Sequence, residues 1–165
     1  MDIKTKFSDK VKDLEASAIR EIFKLLDKPG IISFAGGAPD PELFPCDELS
    51  EVAADGLKNN GKIALQYGVT EGYAPLRDWV KNRLVSQGIV KENDNNETII
   101  VSGGQQGIDL ASKSLLNPGD AVVCEQPSFI GGLNCFRSYN AEIYGVKVQS
   151  DGIDMEELEA LLKQH

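Results

Sequence analysis

The sequence has a single histidine, and it is the last residue, His165. A mechanism built on a positioned imidazole is therefore close to excluded. Cysteine is sparse: Cys46, Cys124 and Cys135 are odd in number and show no CxxC spacing, which argues against a disulfide framework or a zinc site, and no metal is expected. That usage suits a reducing, cytoplasmic setting. Basic residues are few, 17 Lys and Arg against 26 Asp and Glu, for a net charge of −9. Duplex binding needs clustered cations to displace counterions, so nucleic acid is not an expected partner. No apolar run approaches the roughly 18 residues that suggest a membrane-crossing helix, and the opening MDIKTKFSDK lacks the apolar centre of a secretory signal. What is present is a globular composition, 165 residues with 41% hydrophobic and 26% charged, about the length of one domain.

From Ser8 to about Asp27, the residues Val11, Leu14, Ala18, Ile22, Leu25 and Leu26 recur with helical period, and Pro29-Gly30 ends the pattern. A short extended run, Ile31–Phe34, leads into Gly36-Gly37-Ala38-Pro39-Asp40-Pro41, which is read as irregular. Asp47 is placed as the cap of a second helix that Gly61 ends, with Glu48 and Glu51 as its charged first turn. A third helix is expected over Tyr73–Gln87, with Trp79 packing beside Leu76 and Val80. The polar, Asn-rich stretch Lys91–Glu97 is the best boundary by composition. Beyond it, apolar strands at Thr98–Val101, Ala121–Cys124 and Ala141–Val148 alternate with helices through Ile108–Leu115 and Phe129–Ser138, and a capped acidic helix starts at Asp154. Strands alternating with helices in this way predict βαβ units and an open, mainly parallel α/β sheet.

In such a sheet, ligands lie beyond the carboxyl ends of the strands. Ser102-Gly103-Gly104-Gln105-Gln106 falls at one such end. Glycines there let the backbone approach a ligand, and the first amides of the following helix point at an anion, with phosphate the natural guest. On its own, a Gly-Gly turn is as often only a tight connection. It is neither a dinucleotide fingerprint, which would need Gly at 103, 105 and 108, nor a P-loop, which would need Lys-Ser/Thr. At the next strand end, Phe129 could stack on a planar ring, although by itself it reads more readily as a core side chain.

Ile31–Pro45 (IISFAGGAPDPELFP), Leu65–Arg77 (LQYGVTEGYAPLR), Val101–Gln106 (VSGGQQ) and Asn117–Phe129 (NPGDAVVCEQPSF) together resemble the N-terminal half of the fold-type-I aminotransferases that depend on pyridoxal 5′-phosphate. Within class I/II, the similarity is to the branch of 2-aminoadipate, kynurenine and aromatic aminotransferases and the related regulator domains. The resemblance implies a fold, a partial PLP-binding large domain, incomplete over 47–165, preceded over 1–46 by an N-terminal helix and substrate-side segment. It implies that Gly103, Gly104 and Gln105 hold the cofactor phosphate and that Phe129 lies against the pyridine ring. Tyr67 is implied to reach toward the cofactor of a neighbouring subunit, since the family works as homodimers. Gly36 and Gly37 are implied to line the substrate pocket, and Arg20 to face the substrate side chain. Two positions depart from the family: Gly104 stands where Ser is commonest, removing a hydroxyl contact to phosphate, and Phe129 stands where Tyr is usual, keeping the stacking surface without the phenol.

The activity implied is transfer of an amino group between an amino acid and a 2-oxo acid. That chemistry requires a lysine that forms a Schiff base with the cofactor, and none of the 13 lysines, Lys4 to Lys163, lies in the family's lysine context. The chain is accordingly expected to be an N-terminal portion, inactive by itself and without a catalytic residue of its own. Two other readings stand beside this one. The chain could be a non-catalytic aminotransferase-like binding or regulatory module, including a truncated remnant, or an unrelated phosphate-binding α/β domain.

Overall fold

The computed structural model of the chain describes residues 6–8, 39–92 and 95–165. The expected first helix, the run Ile31–Phe34 and the candidate residues Arg20, Gly36 and Gly37 lie outside the described residues, as does most of the expected 1–46 segment. Two compact units divide the chain, one within Ala16–Ile100 and one taking in Val101–His165. The division falls a few residues after the Asn-rich stretch that composition marks as a boundary.

In the first unit a 3-10 turn, Pro41–Leu43, is capped by Asp40, whose carboxylate accepts from the Glu42 amide at 3.1 Å. Helix α1 then spans Cys46–Ala64 with Pro45 as its N-cap. Asp47 is thus in the first turn, where its charge suits the helix dipole, and is not the cap. Gly61 does not end α1 either. A glycine inside a helix costs about 1 kcal/mol relative to alanine, which weakens the helix without breaking it, and the chain turns out only at Leu65, whose amide donates back to Gly61 O at 3.0 Å. Helix α2, Ala74–Ser86, matches its expected bounds: Tyr73 is the N-cap, Pro75 sits in the first turn, and Gly88 follows with φ +70°. Trp79 is 57% exposed, with the Arg83 guanidinium 5.4 Å from its ring centre, so it is not the packed residue its spacing suggests.

Thr98–Val101 is not a strand. A strand needs a partner along its length, and the backbone groups of this run go elsewhere. Thr98 O accepts from Arg77 Nε at 2.7 Å, and the Ile100 amide donates to Glu71 O at 2.9 Å. Arg77 also pairs with Glu97 at 3.3 Å, tying α2 to this segment.

In the second unit, helix α3 (Gly104–Leu115) leads through the turn Asn117–Asp120 into strand β1 (Ala121–Gln126). The Asn117 amide bonds the Asp120 carboxylate at 2.7 Å, and Gly119 takes φ +89° while its amide reaches Asn140 O at 2.8 Å. Helix α4 (Ile130–Ser138) crosses over to strand β2 (Glu142–Gln149), which pairs parallel with β1 from Ala121↔Glu142 to Gln126↔Lys147. This βαβ unit is the α/β architecture expected, with helices beside a mainly parallel sheet. A short strand β3 (Gly152–Ile153) pairs antiparallel with β2 through Val148↔Ile153, giving the order β1-β2-β3. Helix α5 (Met155–Gln164) is capped by Asp154, which accepts from the Glu156 and Glu157 amides at 3.1 and 3.0 Å. Among the described residues, those buried are Ser112, Gly132, Cys135 and Val146, so the core of this unit lies between α3, α4 and β2.

Candidate functional site

The start of α3 is shaped by Gly103, its N-cap, at φ +84° and ψ 170°. A side chain in that left-handed region would be strained, which is why glycine stands there. The Gly103 amide turns back to Val101 O at 2.9 Å, and the first helical bond runs from Gly107 N to Gly103 O at 3.3 Å. The amides of Gly104, Gln105 and Gln106 precede that bond and have no acceptor inside the helix. The N-cap Gly103 has no side chain with which to cap them, and Gln106 reaches back, its Oε1 accepting from the Ser102 amide. A Cβ built at Gly103 or Gly104 meets nothing within 4 Å, so the space before these amides is open. The positive end of the helix dipole faces that space.

Phe129 is the N-cap of α4 and is 63% exposed. Its ring turns back over the first turn of its own helix: a Cβ at Gly131 would meet Phe129 Cε1 and Cζ at 2.6 Å. The Gln105 side chain converges on the same glycine, donating from Nε2 to Gly131 O at 3.1 Å. The structure therefore brings Gln105 and Phe129 together at Gly131, with Gly103 and Gly104 directly before Gln105 at the start of α3. It leaves the Gln105 amide free for an anion while its side chain is engaged by α4.

Below this point, α3 and α4 are joined by polar contacts. Tyr139 Oη donates to Asp109 Oδ1 at 3.0 Å, and the buried Cys135 thiol lies 3.8 Å from the same oxygen and 3.7 Å from Ser112 Oγ. Partial desolvation, together with the hydrogen bond to Asp109, holds the Tyr139 phenol above its ordinary pKa, so it stays a donor. An open depression of about 630 Å³ runs along this seam, lined by Ser102, Gln105, Gln106, Asp109, Asn134 and Ser138 among others. Residue spacing alone does not reveal this network. Its one trace is the Gly131-Gly132 pair directly after Phe129-Ile130, small residues where two helices approach closely.

Tyr67 belongs to the first unit and is 99% exposed. It sits on the loop between α1 and α2, its amide donating to Gln66 Oε1 at 2.8 Å, beside a cavity of about 690 Å³ that Asn60, Lys62 and Tyr73 help to line. Among the described residues, no group of three His, Cys, Asp or Glu could hold a metal, and no helix is long and apolar enough to cross a membrane.

Three unpaired amides at an open helix start suit an anion, and the exposed Phe129 ring offers a face to a planar group. Comparison with known proteins shows the family. The family model for class I and II aminotransferases matches residues 29–165. A 2-aminoadipate transaminase from Thermus thermophilus is 44% identical over 151 residues, covering 92% of this chain and 36% of the relative. The structure of Pyrococcus horikoshii kynurenine aminotransferase superposes with a TM-score of 0.88 at 36% identity, covering 99% of this chain and 40% of that one. The α-aminoadipate aminotransferase of Thermus thermophilus, solved with N-(5′-phosphopyridoxyl)-L-leucine, gives 0.82 at 37% identity, covering 100% and 39%. The chain thus spans well under half the length of these relatives.

Proposed function

The chain belongs to the class I and II aminotransferases, and from that premise we propose that its residues serve PLP-dependent transfer of an amino group between an amino acid and a 2-oxo acid. The observation that carries this reading is the open start of α3, with the free amides of Gly104, Gln105 and Gln106, and the Gln105 side chain meeting the exposed Phe129 ring at Gly131. In the proposal, these amides and the dipole behind them hold the phosphate dianion, and Gly103 and Gly104 keep the approach clear of side chains. Phe129 covers one face of the pyridine ring and excludes water from it. Tyr67, exposed on its loop, reaches the cofactor of a second copy in a homodimer, while Arg20, Gly36 and Gly37 face the substrate. When bound, the cofactor supplies an aldehyde that takes up the amino group and a ring that accepts electron density from the reacting carbon. The compartment proposed is the cytoplasm.

The 165 residues alone are proposed to bind without turning over, because no lysine among them lies in the context that the chemistry uses. The test is an assay of the purified chain with PLP, amino acids and 2-oxoglutarate, paired with calorimetric titration by pyridoxamine 5′-phosphate, which has no aldehyde to react with surface lysines. Saturable uptake without product is the expected result. Reproducible turnover would overturn the claim of inactivity, and no uptake would overturn the cofactor assignment.

A further inference from the structure

Gln105 has two roles to choose from at the start of α3, and the structure separates them. A glutamine in the first turn of a phosphate-binding helix could offer its side-chain amide to the anion. Here that amide is engaged 26 residues away, with Nε2 donating to Gly131 O at 3.1 Å. Gly131 lies in the first turn of α4, the helix whose N-cap is Phe129. Two side chains therefore meet at one backbone position. A Cβ added to Gly131 would lie 2.5 Å from Gln105 Oε1 and 2.6 Å from Phe129 Cε1 and Cζ, well inside contact distance. The glutamine and the aromatic ring both occupy the space that a side chain at position 131 would take.

From this we infer that Gln105 is a positioning residue. Its side chain is a strut from α3 to α4 that sets the distance between the phosphate-holding amides and the Phe129 ring, and Gly131 is the seat on which that distance is gauged. The inference rests on the cofactor reading above and adds to it which residue registers the two halves of the site. Each half exists without the strut: the amides belong to the backbone of α3, and the ring belongs to α4. A ligand that engages only one half does not sense their spacing. A ligand that carries phosphate and ring on one rigid frame does, because its two ends must be satisfied together. Lower down, the Tyr139–Asp109 bond holds the same two helices, so loss of the strut loosens the upper end of the seam without separating it.

The experiment compares two probes, inorganic phosphate and pyridoxamine 5′-phosphate, on the full 165-residue chain and its Gln105→Ala and Gly131→Ala variants, by calorimetry and by amide chemical shifts. Gln105→Ala keeps its backbone amide, so phosphate affinity is expected to stay within error of the unaltered chain. Affinity for pyridoxamine 5′-phosphate is expected to fall about tenfold, the scale of one lost hydrogen bond near the top of its usual range. Shifts at residues 129–133 are expected to move in Gln105→Ala before any ligand is added. Gly131→Ala, which displaces the ring, is expected to show the same split between probes, and it provides a second route if the first variant is poorly folded.

Equal loss of both probes in Gln105→Ala would overturn the strut and make the side chain a direct phosphate ligand. Unchanged affinity for both probes, with unmoved shifts, would overturn it while leaving the cofactor reading intact. Failure of the unaltered chain to bind pyridoxamine 5′-phosphate would remove the strut's function together with that reading.

Discussion

Gly72→Ala tests whether the loop between α1 and α2 is held as the geometry indicates. Gly72 has φ +99°, and an added Cβ would lie 2.6 Å from Ile100 Cβ and 2.7 Å from Ile100 Cγ1. Neither obstacle yields easily. Ile100 is anchored by its own amide, which donates to Glu71 O at 2.9 Å, and the Gly72 amide closes a turn on Val69 O at 3.0 Å. The left-handed backbone costs a side chain about 1–2 kcal/mol, and forcing a methyl into an occupied space costs about 1–3 kcal/mol more. Together the loss is roughly 2–5 kcal/mol, a large fraction of a typical domain's stability. Trp79 is the only tryptophan in the chain and lies in the same unit, so urea unfolding followed by its fluorescence reports on this unit alone. Ile100→Gly removes both obstructing atoms, Cβ and Cγ1, but not the backbone conformation at position 72. The double variant should therefore be more stable than the two single losses added together, by about the clash contribution of 1–3 kcal/mol, with the backbone contribution remaining. A Gly72→Ala protein that unfolds within about 0.5 kcal/mol of the parent would refute the reasoning. A double variant whose losses simply add would refute the contact with Ile100.

Gly61 presents the opposite case. It lies inside α1 with nothing within 4 Å of an added Cβ, so Gly61→Ala is expected to raise stability by about 0.5–1 kcal/mol, read as a higher urea midpoint at an unchanged slope. In the second unit, the amide hydrogen bond from Glu157 is the largest influence holding the Asp154 carboxyl below the ordinary carboxylate pKa, with Gln149, the Glu156 amide and Lys147 adding to it against partial desolvation. A lowered folded-state value means that the contribution to stability is present above the unfolded pKa, about 3.9, and is lost as pH falls through the folded one. Thermal unfolding followed by circular dichroism is expected to show this as an acid limb that Asp154→Asn flattens, because asparagine caps without titrating. An acid limb unchanged in that variant would assign the limb to other carboxylates.

What is legible in the sequence is what the chain decides within a few residues. Asp154 at a cap, Gly88 after a helix, and β1 and β2 as apolar runs on either side of a helix are local choices, and they stand where their patterns place them. The start of α3 belongs with them, because Gly103 at φ +84° and the amides after it follow from a glycine pair and a helix beginning. The misplacements have a common cause. Composition assigns Asp47 and Gly61 as cap and stop, whereas α1 extends past both to Ala64. Thr98–Val101 has every residue preference of a strand, yet a strand is a property of two segments, and here Arg77 and Glu71 take its backbone groups instead.

The same distinction runs through the site itself. Its chemistry is local: amides at a helix start, a ring at a helix cap. Its dimensions are not, since the spacing between amides and ring depends on Gln105 meeting a carbonyl 26 residues further along the chain. A motif such as Ser-Gly-Gly-Gln-Gln can therefore announce a phosphate site while leaving the glutamine's role undecided between ligand and strut. The strut reading rests on Gly131, where the absence of a Cβ leaves room for both the glutamine and Phe129. In that proposal, a substitution at Gly131 is expected to act on the spacing of the site without touching the ligand. By sequence alone, that residue would pass for a small helix position of no consequence.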